Sequence, residues 1–524
     1  MTAPDSDGPH PPDSPAQPAP ADAGVIVHRF APGLAAGAAA AMVTHGVRML
    51  AERSAASRSV PDRVCWCRIS YRQHFRPPAA LREIRHADGT RTHELTVDLG
   101  QVVSPQDLQR CFAEALDGPQ RAPGVDIGRF GPVGASPIWE FNAAFWNHMP
   151  GYMAAVGRGV RESIGGSPDD GQARTREHAR RFGTLLAAAA AAAAGADTAS
   201  GARPARPLAY LDVGAADTGY AETLIRHLAA TCHTPMHYVV ADRAAGALRR
   251  ARARLGPGRG PVSVRYLALD LAQPARALEE YRGRLLTVHL TNLLDNLPGE
   301  ELVQVDGRHY LLHTCLYLPA AALEQLARQH RLDPGQLAAD LSNLADTGVD
   351  PFLAHYRDRL AVRGGAAGEH AWFLFWQDLF GNPADRSTGL KLRERLVEVP
   401  DAGIVSWPAP AGPLPPEVLA PGPDRRIPLS DRAIGACLRL IGLLHPRGVL
   451  EVTDVMLRDQ RGAAPYAAYH GPAKFDGSVV NWFNGGLLMQ LAREAFPGCR
   501  ATWRSPASPG RAHMTTLEVD RGAP

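Results

Sequence analysis

The residues best suited to chemistry lie in Leu211-Asp212-Val213-Gly214-Ala215-Ala216-Asp217-Thr218-Gly219. A glycine turn directly after an apolar run lets backbone approach a ligand at the start of a helix. Gly214, Ala216 and Gly219 fit the spacing of a dinucleotide-binding turn, with alanine in the place of the middle glycine. Asp212, however, stands two residues before the first glycine, at the end of a buried strand, where that fingerprint has an apolar residue. A carboxylate there costs desolvation unless it meets a polar partner. Asp217, inside the turn, would repel a pyrophosphate. Both acids suit a ligand with no phosphates and a cationic amino-acid part.

More acids follow at the ends of later apolar runs. Asp242 closes Met236-His-Tyr-Val-Val-Ala241, and Asp270 closes Val262-Ser-Val-Arg-Tyr-Leu-Ala-Leu269. Leu285-Leu-Thr-Val-His289-Leu290 runs into Thr291-Asn292-Leu-Leu-Asp295-Asn296-Leu-Pro298. In an open α/β sheet the site lies at the carboxyl ends of the strands. His289, Asn292 and Asp295, and Asp454 after a fifth strand, are therefore candidate catalytic residues. His470 joins them from the polar and aromatic stretch Tyr469–Asn484, which also holds Lys474. Each has a plainer reading beside it. His289 lies inside an apolar strand as a core histidine would, Asp295 can cap a helix, and Asp476-Gly477 reads as a turn.

These residues resemble the class I S-adenosylmethionine-dependent methyltransferases. That family's first motif is an acidic residue, any residue, then Gly-x-Gly-x-Gly. Asp212 and Gly214 match it, Ala216 and Thr218 replace the second and third glycines, and Gly219 comes one place late. The resemblance implies S-adenosyl-L-methionine as cofactor, held by Asp212, Gly214, Ala216 and Gly219. It implies that Asp242 accepts from the ribose hydroxyls, that Asp270 meets the adenine amino group, and that Asn292 lies beside cofactor and acceptor. Asn292-x-x-Asp295-x-x-Pro298 is locally similar to the methyltransferases that assist assembly of respiratory complex I. The expected activity is methyl transfer to oxygen or nitrogen of a small-molecule acceptor (a secondary metabolite among the options) or a peptide. A partner protein as acceptor, a non-catalytic cofactor-binding scaffold and a dinucleotide-linked oxidoreductase are the alternatives. The motif N/D-P-P-Y/F/W of enzymes that methylate planar amino groups is absent from the sequence.

The elements that must position these residues follow from pattern. Apolar runs of strand length alternate with helical stretches from 207 to 298 and again from 430 to 520, which reads as a parallel α/β sheet. The last two runs, near 499–504 and 513–519, fit the antiparallel hairpin that ends the class I sheet. The fold expected is thus α/β: a Rossmann-like seven-stranded class I methyltransferase sheet, with an N-terminal helical or mixed region and a large helical insertion. Boundaries are placed at 1–24 (disordered tail), 25–200 (mainly helical, with a hairpin around Asp88-Gly89), 201–300 and 430–524 (the two parts of the sheet), and 301–429 (the insertion). Helices are expected over 34–56, from Ser104 through Leu116, over 138–164 with a break at Pro150-Gly151, and over 171–195. The aromatic stripe from Trp139 to Met153 and the cluster Trp372-Phe-Leu-Phe-Trp376 read either as core or as a cover over the acceptor site.

Composition narrows the partners. The 524 residues carry 56 basic and 53 acidic side chains, a formal net charge of +3. Such a balance lacks the basic excess of a nucleic-acid binder. The seven cysteines are scattered, unlike a disulfide framework. Cys65-Trp-Cys67 reads as two alternate positions of one strand, and no metal-ligand constellation stands out. No apolar run spans a bilayer and Met1–Ala23 lacks the features of a signal peptide, so a cytoplasmic location is expected, with no membrane partner. Nothing in the sequence sets the oligomeric state.

Overall fold

A computed structural model describes residues 27–30, 64–70, 77, 79–98, 110, 111, 115, 124–156, 168–200, 206–214, 218–271, 274–364, 368–380, 389–399, 414–422, 424–459, 472–475, 478–504 and 514–522. Among them the chain is a mixed α/β protein with two nine-stranded sheets and one separate two-stranded hairpin.

The first sheet holds the glycine turn. Its main strands are β1 (Leu208–Val213), β2 (Met236–Asp242), β3 (Val262–Ala268), β4 (Leu285–Thr291), β5 (Leu444–Leu457), β6 (Arg500–Arg504) and β7 (Met514–Asp520). They lie in the order β3-β2-β1-β4-β5-β7-β6. β1 to β5 are parallel, and β7 runs antiparallel to both β5 and β6. The helices used below are α1 (Ile138–Val156), α2 (Pro168–Ser200), α3 (Thr218–Thr231), α4 (Ala245–Leu255), α5 (Gly368–Phe380), α6 (Asp431–Leu443) and α7 (Gly485–Ala495). A parallel sheet needs cover on both faces, which is why β1 to β4 read as near-continuous apolar runs. On one face Tyr210, Tyr238 and Leu286 pack with Phe182 and Leu186 of α2 and Leu224 and Leu228 of α3. On the other, Leu211, Val239, Val288 and Leu450 pack with Ile434 and Leu438 of α6 and Leu487 of α7.

The second sheet joins two stretches far apart in sequence. The strands Val27–Phe30, Val64–Ser70, Ala79–Arg85, Arg91–Asp98 and Gly124–Pro132 come from the N-terminal region. Glu301–Val305, Arg308–Pro319, Lys391–Glu398 and Arg425–Pro428 come from the insertion. Two pairings join them: Ala79–Arg85 runs parallel to Lys391–Glu398, and Gly124–Pro132 antiparallel to Arg308–Pro319. The expected hairpin is present, with Gly89 at φ +83° in its turn. A chain of buried ion pairs crosses the sheet. Arg82 meets Glu94 and, at 3.3 Å, Glu394, while Arg426 meets Glu301 and, at 3.5 Å, the same Glu394.

The N-terminal and inserted segments hold long helices as expected, but they also supply strands to this sheet that the sequence reading placed only in part. Their strands pair over long separations, and period-2 patterning in a strand with polar residues on both faces is faint. The helices expected over 34–56 and from Ser104 through Leu116 lie outside the described residues, save Arg110, Cys111 and Ala115, which are helical. α1 runs through Pro150-Gly151 without a break. A proline removes one helical donor and bends a helix but need not end it.

α1 and the insertion share one core. Phe141 and Phe145 of α1 are buried with Trp372, Phe375 and Trp376 of α5 and with Leu323, Leu337 and Phe352 of the intervening helices. The aromatic stripe and the aromatic cluster therefore pack on each other. Among the described residues no helix is long and apolar enough to cross a membrane.

Candidate cofactor and acceptor site

Strand order changes direction between β1 and β4, and the crevice beyond such a point is where open α/β sheets take ligands. Gly214 stands at the end of β1 with φ +80°, a conformation that an L side chain rarely adopts. A Cβ there would also lie 3.3 Å from the Leu293 methyl groups on the loop after β4. Asn292, at φ +49°, turns that loop back, and its N–H donates to the Thr453 carbonyl at 2.8 Å. Non-glycine residues with such backbone angles concentrate at functional sites.

Parallel register puts the other strand-end acids along the same edge. Val213 is level with Ala241 on β2, and Asp242 with Ala268 on β3. Asp242 accepts the Ala244 N–H on Oδ1 at 2.8 Å, and burial pushes its carboxyl up. The Leu269 N–H donates to the Asp242 carbonyl at 3.1 Å, tying the end of β3 to β2, and Asp270 is exposed just beyond. Gly219 is the second residue of α3, and its carbonyl accepts the Thr223 hydroxyl at 3.0 Å. Ala216, Asp217 and His470 lie outside the described residues.

Asp212 and His289 are directly opposite on β1 and β4, and Glu451 lies opposite His289 on β5. The three side chains share one sheet face with α2 and α3. Asp212 takes the Tyr238 hydroxyl at 2.7 Å and has His289 Nδ1 at 3.3 Å. His289 Nε2 is 2.9 Å from the Thr291 hydroxyl. His178 of α2 has Nε2 at 3.1 Å from Glu451 and Nδ1 at 2.6 Å from the Tyr220 hydroxyl, which is 2.9 Å from that of Tyr210. Burial pushes the Tyr210, Tyr220 and Tyr238 phenols well up. Burial would raise Glu451 as well, but the His178 hydrogen bond and the charges of His178, His289 and Arg181 outweigh it and bring it down to about 2. Asp212 thus meets the polar partners that a buried carboxylate needs, and His289 belongs to this network as well as to the strand.

Asp295 sits elsewhere, buried beside Asp454. Asp454 accepts the N–H groups of Leu293 and Leu294 on Oδ2 at 3.0 and 2.8 Å and that of Val455 on Oδ1 at 2.8 Å. It pins the loop after β4 to β5. Burial, then the Asp454 charge, push the Asp295 carboxyl well above its usual range, and burial raises Asp454 too. Asn296 donates to Asp295 Oδ1 at 2.5 Å, and the Asn481 N–H donates to the Asp295 carbonyl at 2.7 Å.

α1 is fixed over this loop. Asn142 Nδ2 donates to the Asn296 carbonyl at 2.9 Å, and Trp146 Nε1 to its side-chain oxygen at 3.2 Å. Asn142 Oδ1 accepts from Val479 at 2.9 Å, on the small hairpin Ala473–Phe475 and Ser478–Val480. That hairpin carries Lys474, buried with Nζ 5.6 Å from the Phe380 ring centroid of α5. Burial, and then the neighbouring charge of Lys391, push its ammonium pKa well down. The loop with Asn292 and Asp295, α1 and the Lys474 hairpin thus meet at one end of the sheet. Asn142, His178 and Glu451 carried no sequence signal of their own, because their partners lie on other elements.

No family model and no curated protein matches the chain. Among solved structures it is similar to the CurJ carbon methyltransferase, at 10% identity and a TM-score of 0.26 over 62% of this chain and 50% of that one. It is similar at 12% identity and a TM-score of 0.33 to a superfamily member from Burkholderia thailandensis bound to S-adenosyl-homocysteine, over 68% of this chain and 78% of that one. Likeness to the cyclase SpnF is at 10% identity and a TM-score of 0.30, over 74% and 98%. The chain spans about half the length of CurJ and of the methyltransferase domain from citrinin polyketide synthase.

Proposed function

We propose that the chain is a class I S-adenosyl-L-methionine-dependent methyltransferase acting on oxygen or nitrogen of a small-molecule or peptide acceptor. One observation carries this reading. The strand order β3-β2-β1-β4-β5-β7-β6, with β7 antiparallel, is joined to acids at the ends of β1, β2 and β3 and a glycine turn at the point where the order reverses. Gly214 supports the reading, since a Cβ there would lie 3.3 Å from the Leu293 methyl groups and narrow the space a cofactor would take.

When bound, the cofactor supplies an electrophilic methyl group, so the protein's part is alignment and exclusion of water. In this reading Asp212, Gly214, Ala216 and Gly219 hold the amino-acid end. Asp242 accepts from the ribose hydroxyls, and Asp270 contacts the adenine. Asn292, on the strained loop after β4, faces cofactor and acceptor together. α1 and the Lys474 hairpin supply the acceptor wall, with Asp295 kept protonated behind the loop. His289 and His470 are the histidines available to take a proton from an oxygen nucleophile.

Calorimetry with S-adenosylmethionine and S-adenosylhomocysteine tests the reading, and absence of binding by both would sink it. Asp242→Ala should weaken binding by about 1–3 kcal/mol if that carboxylate holds the ribose. Labelling of lysate with a radioactive methyl donor then separates a small-molecule acceptor from a partner protein.

A further inference from the structure

We propose that His178, His289 and Glu451 form a binding site for a borderline divalent transition-metal ion of the Zn2+ class. One ligand atom from each of the three lies within 4.8 Å of the others, and the residues come from α2, β4 and β5. Two imidazoles and one carboxylate are a donor set that zinc takes readily, with a fourth position left for water or another oxygen. Hard ions such as Mg2+ and Ca2+ prefer all-oxygen sites.

The surroundings suit such an ion. A metal-bound histidine is commonly held by an oxygen partner on its other ring nitrogen. Here Asp212 is on Nδ1 of His289 at 3.3 Å and Tyr220 on Nδ1 of His178 at 2.6 Å, which leaves Nε2 of each ring for the ion. His178 Nε2 already faces Glu451 at 3.1 Å. The Thr291 hydroxyl, 2.9 Å from His289 Nε2, is on an exposed residue and can rotate away or take the fourth position. Two carboxylates, Asp212 and Glu451, stand beside the two imidazoles, and a divalent cation would balance their charge. Binding would clamp α2, the helix before β1, onto β4 and β5. An ion on His289 Nε2 would withdraw that ring as a base and leave His470 in that part.

The full-length protein, grown with added zinc and passed over a chelating resin, should retain zinc in stoichiometric amount by elemental analysis. Replacement with Co2+ should give the visible absorption of a nitrogen- and oxygen-ligated ion. Glu451→Gln and His178→Ala should each lower zinc retention by about tenfold or more. Arg180→Gln, on the exposed side of α2 with Glu177 at 2.7 Å, should keep it. Circular dichroism separates loss of metal from loss of fold. The proposal is overturned if folded wild-type protein holds neither zinc nor a Co2+ spectrum, or if both ligand variants retain zinc undiminished. The hydrogen-bonded network would then account for the cluster alone.

Discussion

Two acids on β5, the half-buried Glu451 and the buried Asp454, stand three residues apart and are shifted in opposite directions. An odd spacing sends them to opposite faces of the sheet. Glu451 faces α2, where His178, His289 and Arg181 outweigh burial and hold its carboxyl down. Asp454 faces α6, where burial and a second acid, Asp295, keep carboxyl groups protonated more readily. Desolvation is common to both, so the sign is set by what else each acid meets. The first cluster is built to keep charge, and the second to keep a proton and to hold backbone.

The widest separation between them should come from Asp454→Ala. Three N–H groups, of Leu293, Leu294 and Val455, would lose their acceptor, costing on the order of 4 kcal/mol in urea denaturation. A cost under ~1 kcal/mol would mean that the loop after β4 is held by something else. Next is acid unfolding through Glu451. Its folded pKa lies below its usual 4.5, at about 2, so its stabilisation is complete above pH 4.5 and is lost as pH falls toward about 2. At ~1.4 kcal/mol per unit this amounts to roughly 3 kcal/mol, and Glu451→Gln should flatten that limb of the pH-stability curve. The smallest effect has the opposite sign. Asp295 has a raised folded pKa, so its contribution is present below its usual 3.8 and lost as pH rises toward the folded value. Asp295→Asn, neutral at every pH, should therefore gain on wild type over the range in which pH rises above about 4. A constant difference across that range would merge the two clusters into one kind.

Much of the first sheet is legible in the sequence. The apolar run before the glycine turn is β1, and 236–241, 262–269 and 285–290 each differ from β2, β3 and β4 by a single residue at one end. Strands covered on both faces leave an unbroken apolar signal. The second sheet is legible at its Asp88-Gly89 hairpin and at Cys65-Trp-Cys67, which lies in the strand Val64–Ser70. Val64–Ser70 and Lys391–Glu398 carry Arg and Glu among their apolar residues, and they find partners across the chain. The site divides in the same way. Asp212, Asp242 and Asn292 announce themselves by standing at strand ends. His178 sits in an ordinary helical pattern, and only the packing of α2 onto β4 and β5 brings it to Glu451.

The two lysines of the chain, Lys391 and Lys474, are 3% and 7% exposed, while the positive surface is arginine. An amine-reactive reagent therefore meets almost no side-chain amine on the closed molecule. Lys474 becomes reactive only when its hairpin parts from α5. The chain thus carries a built-in reporter: mass shift per lysine against time would clock how often that hairpin parts from α5, with no probe added to the sequence.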